Sequence, residues 1–154
     1  MNITIFEVQR DGATELLLSL VRADDGMRDG LPARAIIGRV NSLDRPIDSS
    51  NVEIDPDFIR SIQRVVEAHA PRLSGLCERA KLVGNGAVYV IDGRCEDPGG
   101  EVPPEDIIGA FLVSNGAIVE GSYQANANYR FLTSLGFSSL DPFLEEQLLR
   151  ELCR

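Results

Sequence analysis

Two side chains in this sequence are of the types that form a catalytic nucleophile and its base, the histidine His69 and the cysteine Cys95. His69 is the only histidine, which excludes mechanisms that need two imidazoles, but a Cys-His or Ser-His pair needs only one ring. Cys95 follows Arg94, and a neighbouring cation favours the reactive thiolate, whereas Glu96 and Asp97 oppose it. The competing interpretations are a core or helix-cap histidine and an unreactive loop thiol.

The other chemistry-bearing residue types lack the spacing of a known site. The three cysteines contain no Cys-x-x-Cys pair, and adjacent acidic residues point to opposite faces of a strand. No glycine-rich segment ends in the Gly-Lys-Ser/Thr of a phosphate-binding loop. We therefore expect no metal site and no cofactor, and we place Cys77 and Cys153 at helical positions that pack into the core.

The strongest candidate for a binding site is a polar segment with almost no formal charge. Amides, phenols and a guanidinium orient a small polar ligand or a peptide backbone because they supply donors and acceptors at a low desolvation cost. The candidate ligand-binding residues are Tyr123, Gln124, Asn126, Asn128, Tyr129 and Arg130. The competing interpretation is an asparagine-rich loop that leads into a helix from Phe131 to Leu135, closed by Gly136.

A β-hairpin must position this segment. Asn115-Gly116 stands between two β-rich apolar runs within residues 107–123, and this dipeptide supplies the positive φ angles of a type I′ turn. Two helices have equally clear starts, because Asp55-Pro56 and Asp141-Pro142 each combine an N-cap acceptor with a proline at the first helical position.

The remaining elements are read from apolar periodicity and from glycine and proline. The pattern predicts strands at residues 3–8, 35–40 and 87–91, a helix from Asp55 to Pro71 and a second helical segment after it. The apolar run 16–21 fits a strand or a short buried helix. Residues 24–32 are expected to form a surface loop, and the Pro/Gly-rich residues 96–104 a flexible loop. We predict one compact α+β domain over residues 1–154, with about three helices packed on a mainly antiparallel sheet.

Composition narrows the range of partners. The net charge is −9, with 14 acidic and 12 basic side chains in residues 1–95 but 10 acidic and 3 basic in residues 96–154. Such a surface repels phosphate backbones, so we expect no nucleic-acid binding and, if a charged partner exists, a basic protein. The sequence has no signal-peptide pattern and no membrane-length apolar run, so a cytoplasmic protein with free thiols and no membrane contact is expected.

Three functions remain open at this point. The leading hypothesis is a small acidic binding domain for a basic protein partner or a small polar ligand. The alternative is a small hydrolase or transferase that uses His69 or Cys95. The third is a structural subunit of a homo-oligomer that associates through a hairpin edge.

Overall fold

The chain forms ten strands and four α-helices over residues 1–153, the range that the computed structural model describes apart from the side chain of Asp29. The elements of the first half are β1 (Thr4–Arg10), β2 (Ala13–Ser19), α1 (Ala23–Asp29), β3 (Ile36–Val40), β4 (Val52–Ile54), α2 (Pro56–His69) and α3 (Ser74–Val83). The elements of the second half are β5 (Gly86–Ile91), β6 (Ile107–Ser114), β7 (Ala117–Ile118), β8 (Gln124–Ala125), β9 (Leu132–Thr133), β10 (Gly136–Phe137) and α4 (Pro142–Leu152).

All strand pairs are antiparallel, which confirms the α+β class. The first sheet has the order β1-β2-β3-β4. The second has the order β5-β6-β7, with β8 also paired to β6, and β9 and β10 form a small hairpin. The ambiguous run 16–21 begins within strand β2, which pairs with β1 across a turn at Asp11 and Gly12.

The predicted Asn115-Gly116 turn is confirmed. Asn115 has φ 49° and Gly116 has φ 77°, the two positive values that a type I′ turn requires. The turn joins β6 to β7, with Ser114 paired to Ala117. The segment that follows is therefore carried back along the second sheet, as the sequence pattern indicated.

Both predicted helix starts are also confirmed. The Asp55 carboxylate accepts a hydrogen bond from Asp57 N at 2.9 Å, and the Asp141 carboxylate accepts one from Phe143 N at 2.8 Å. The helices α2 and α4 pack against each other. Their buried residues are Phe58, Ser61, Ile62, Val65 and Val66 on α2, and Leu144, Leu148 and Leu152 on α4.

Removal of the first cap should destabilise the protein measurably. We expect Asp55→Ala to lower the free energy of unfolding by about 1 kcal/mol, because the N–H of Asp57 loses its acceptor, while Asp55→Asn keeps most of the stability. Urea unfolding monitored by circular dichroism measures the difference. Asp44→Ala is the matched control, since Asp44 is an exposed loop carboxylate. Equal effects of Asp55→Ala and Asp44→Ala would show that charge, not capping, is responsible.

The helix predicted from Phe131 to Leu135 is wrong. This segment forms the hairpin of β9 and β10, with Gly136 at φ 100°. The carbonyl of Phe131 accepts hydrogen bonds from Ser138 N at 2.7 Å and from the Arg94 guanidinium at 2.9 Å. Partners distant in sequence therefore replace the bonds that a helix would have supplied.

Two further local predictions need correction. Residues 24–32 are not wholly a loop, because α1 begins at Ala23, and Gly26 lies against the Phe6 ring, where a Cβ would collide. Cys153 is exposed rather than packed in the core, because the buried stripe of α4 ends at Leu152. Cys77 is half-buried and lies near the Pro71 carbonyl, with a sulfur-to-oxygen distance of 3.1 Å. All three thiols are free.

One cluster of buried apolar residues joins the two large sheets to α2, α3 and α4. Each large sheet therefore contributes to the same core, and the helices between and after them in sequence close it. Across residues 1–153, no helix is long and apolar enough to cross a bilayer.

Candidate functional site

Tyr123, the first of the predicted ligand-binding residues, packs on the inner side of the second sheet. Its ring lies 4.9 Å from the Phe111 ring, centroid to centroid, and occupies the space above Gly109. Its hydroxyl donates to the side-chain carbonyl of Gln63, whose amide nitrogen donates to Ile108 O at 3.1 Å. Burial raises the pKa of the Tyr123 phenol, so the group stays neutral and ties β6 to α2.

Tyr129 is buried, whereas Tyr123 is half-buried. Its hydroxyl donates to Ser138 Oγ at 2.6 Å, and the Ser138 hydroxyl donates to the Asp92 carboxylate. Burial raises the pKa of the Tyr129 phenol. The two tyrosines among the predicted ligand-binding residues therefore face packed parts of the molecule.

The centre of this region is Arg94, whose side chain is only 4% exposed. Its Nε donates to Asp106 Oδ1 at 2.8 Å, and its terminal nitrogens donate to the carbonyls of Glu105 at 3.0 Å and of Arg130. Arg94 therefore clamps the segment after β8 onto the second sheet. In the sequence, Arg94 was singled out only as a neighbour of Cys95, and the available signal for its structural role was a buried strand followed by Asp-Gly-Arg.

Asn126 is likewise committed to the fold. Its amide nitrogen donates to Pro104 O at 2.7 Å and to Ile107 O at 2.8 Å, and its carbonyl accepts from Asn128 N at 3.1 Å. Gln124, Asn128 and Arg130 are exposed. The structure thus divides the six candidate residues into three that hold the segment in place and three whose side chains face solvent.

On the side of the second sheet that faces away from the core, several side chains are exposed. Alternate residues of β5 and β6 point outward, and the register pairs Ala87 with Leu112 and Tyr89 with Ala110. Tyr89 is 49% exposed, Leu112 56% and Val119 38%. We define the outer face by Ala87, Tyr89, Ala110, Leu112, Val119 and Gln124. Its centre is apolar, and single exposed apolar residues are common on surfaces but a contiguous group is not.

A shallow cavity of about 240 Å³ opens on the outer face beside Tyr89. The small residues Gly109 and Ala110 line it together with Gln124 and Asn126. The other lining residues are Pro104, Ile107 and Ala125. Of the six residues predicted from sequence, the structure brings Gln124 and Asn126 to this cavity, while Tyr123, Asn128, Tyr129 and Arg130 do not line it.

The outer face and its cavity therefore combine an apolar centre with amide groups at one edge. Comparison of the chain with known family models, curated proteins and solved structures finds no match.

The chain segment that contains β6 and most of the cavity residues is acidic. Between Arg94 and Arg130 the sequence contains six acidic residues and no lysine or arginine. One of them, Asp106, is buried against Arg94. The other five, which form no ion pair with any residue of the described range, are Glu96, Asp97, Glu101, Glu105 and Glu120. Glu120 directly follows Val119, and the loop of residues 96–104 leads into Pro104 at the cavity.

The two catalytic candidates lie in different surroundings. The His69 ring, at the end of α2, packs edge-on against Phe143 with centroids 6.0 Å apart. Its buried Nδ1 has no hydrogen-bond partner among residues 1–153. Cys95 is half-buried in the loop after β5, where its N–H donates to Asp92 O at 3.1 Å. No hydrogen bond between the two side chains, or from either to a carboxylate, occurs within the described part of the chain. Nor do three potential metal ligands cluster anywhere in residues 1–153.

Proposed function

We propose that this protein is a binding domain that holds a basic protein partner on the outer face of its second sheet. The single observation that carries the proposal is the exposed apolar group of Tyr89, Leu112 and Val119. Leu112 and Val119 belong to the acidic segment between Arg94 and Arg130, whose carboxylates other than Asp106 form no ion pair within residues 1–153. Apolar contact supplies the binding energy at the centre of such an interface, and the charged rim selects the partner and speeds association.

The size of the cavity favours a protein over a small polar ligand. Sites for drug-sized molecules usually span about 300–1,000 Å³. The cavity beside Tyr89 has about 240 Å³, which suits one side chain of a partner. Gln124 is exposed at its edge and offers a donor and an acceptor to the partner's backbone.

Two cations, Arg79 and Lys81, lie near the second sheet, against five carboxylates other than Asp106 between Arg94 and Arg130. Arg79 lies on α3 beside β5, and its guanidinium donates to Tyr89 O at 2.9 Å, so part of its hydrogen-bonding capacity is already used. Lys81 lies further along α3, where its Cα approaches the turn at Gly116. The loop of residues 96–104, which contains Glu96, Asp97 and Glu101, ends at Pro104 in the cavity lining.

A defined basic peptide tests the proposal. We expect a short synthetic peptide of alternating lysine and leucine to bind, and to shift the amide NMR signals of Tyr89, Leu112 and Gln124. The matching peptide of glutamate and leucine should not bind. Raising the salt from about 0.1 M to about 1 M should weaken binding, since the Debye length falls from about 10 to about 3 Å.

Variants locate the interaction. The double variant Tyr89→Ser, Leu112→Ser should weaken peptide binding at least about ten-fold, because it removes both apolar anchors. Met27→Ser is the matched control, since Met27 is 86% exposed on α1. The proposal fails if the acidic peptide binds equally well, if the shifted signals lie outside the outer face, or if the double variant binds like the control.

A further inference from the structure

A second cavity, of about 500 Å³, lies between the first sheet's end and the last turn of α4. Its lining residues are Leu20, Val21, Arg22, Asp25, Gly30, Pro32, Leu149, Arg150 and Cys153. None of these residues belongs to the outer face. The volume falls within the range of about 300–1,000 Å³ that is usual for small-molecule sites.

The walls of this cavity are apolar. Leu20 and Val21 belong to the buried core and present one side of it, and Leu149 and Pro32 present the other. These side chains bind an aliphatic or aromatic group by removing apolar surface from water, at about 25 cal/mol per Å². The body of a ligand that fits here is therefore apolar.

The charges at the rim determine the head group of such a ligand. Asp25 is already paired with Arg28 at 2.7 Å, and Arg150 is paired with Glu146 at 2.6 Å. Arg22 is exposed and has no ion pair or hydrogen bond from its guanidinium to any described residue. The rim thus offers one uncompensated guanidinium in a protein whose net charge is −9. The unpaired carbonyls in the last turn of α4 repel an anion, but the C-terminal end of a helix carries only about half a negative charge.

We propose that this cavity binds a small amphipathic anion, with the apolar body between Leu20 and Leu149 and a carboxylate or sulfonate on Arg22. A planar guanidinium suits both head groups, because two of its N–H groups can donate to two oxygens of the anion. The site is independent of the proposed function, since the two surfaces share no residue.

Fluorescence of 8-anilinonaphthalene-1-sulfonate, an aromatic sulfonate, tests this site in the intact protein. We expect the dye to bind, and to be displaced by decanoate but not by decylamine, which has the same chain length and the opposite charge. Occupation of the cavity should also slow alkylation of Cys153 several-fold, as measured by mass spectrometry. Cys95 does not line the cavity and is the internal reference.

The variant Arg22→Gln should raise the Kd of the dye about ten-fold, as expected when one charge-assisted contact is lost. Arg34→Gln is the matched control, because it makes the same change in net charge at an exposed residue outside the lining. Equal displacement by decanoate and decylamine, unchanged alkylation of Cys153, or equal affinity of the two variants would each overturn the proposal.

Discussion

Arg94→Met should lower the free energy of unfolding by about 3–5 kcal/mol, the usual result of breaking a buried ion pair from one side. The side chain is 4% exposed and holds the Asp106 carboxylate and several main-chain carbonyls. Methionine fills much of the same volume but donates no hydrogen bond, so Asp106 and Asp92 remain buried without their cation. Equilibrium unfolding in urea measures the loss.

Two further variants test whether the loss of stability comes from the uncompensated buried carboxylates. Arg150→Met removes an exposed arginine whose pair with Glu146 spans one helical turn, and it should cost no more than about 0.5 kcal/mol. Addition of Asp106→Asn to Arg94→Met should recover part of the stability, because it removes one uncompensated carboxylate. If the double variant is as unstable as the two single changes added together, the buried charge is not the cause.

Phe58→Ala should cost about 3–5 kcal/mol, because truncation of a buried aromatic side chain leaves a cavity. Phe58 is fully buried near the start of α2, and its ring meets the Phe131 ring edge-on at 5.0 Å between centroids. This contact joins α2 to the segment that Arg94 clamps. Urea unfolding should show the loss with a cooperative transition preserved.

A double-mutant cycle tests the contact itself. The variants Phe58→Ala and Phe131→Ala should be coupled by about 0.5–1.5 kcal/mol, as for other aromatic pairs. Phe58→Ala with Phe143→Ala is the matched control, since the Phe143 ring packs on His69 at the opposite end of α2. That pair should be additive to within about 0.5 kcal/mol. Additivity of the first pair would mean that the two rings contribute separately.

Stability and the proposed binding surface are connected through the same residues. Arg94 holds the carbonyls of Glu105 and Arg130, and Asn126 holds those of Pro104 and Ile107. Pro104 and Ile107 line the cavity beside Tyr89. We therefore expect changes at Arg94 to loosen the outer face even though Arg94 does not belong to it.

The sequence by itself determined the elements whose signals are local. Asp55 and Asp141 begin helices because a side-chain acceptor satisfies an N–H two residues away, and Asn115-Gly116 makes a tight turn because both residues tolerate positive φ. The antiparallel α+β class followed from the order of such elements. The charge imbalance was equally visible, because it needs only a count along the chain.

Only the tertiary structure decided the roles of residues whose partners are distant in sequence. The segment from Phe131 to Leu135 belongs to a hairpin and not to a helix. The guanidinium of Arg94, which lies 37 residues before Phe131, donates a hydrogen bond to the Phe131 carbonyl there. Tyr123 and Tyr129 turned inward because Gln63 and Ser138 accept their hydroxyls, and Asn126 was used to fix a loop. The exposure of Tyr89 and Leu112 depends on which side of the second sheet the helices cover. A strand pattern shows alternation between two faces, but the packing of the whole chain decides which face meets solvent.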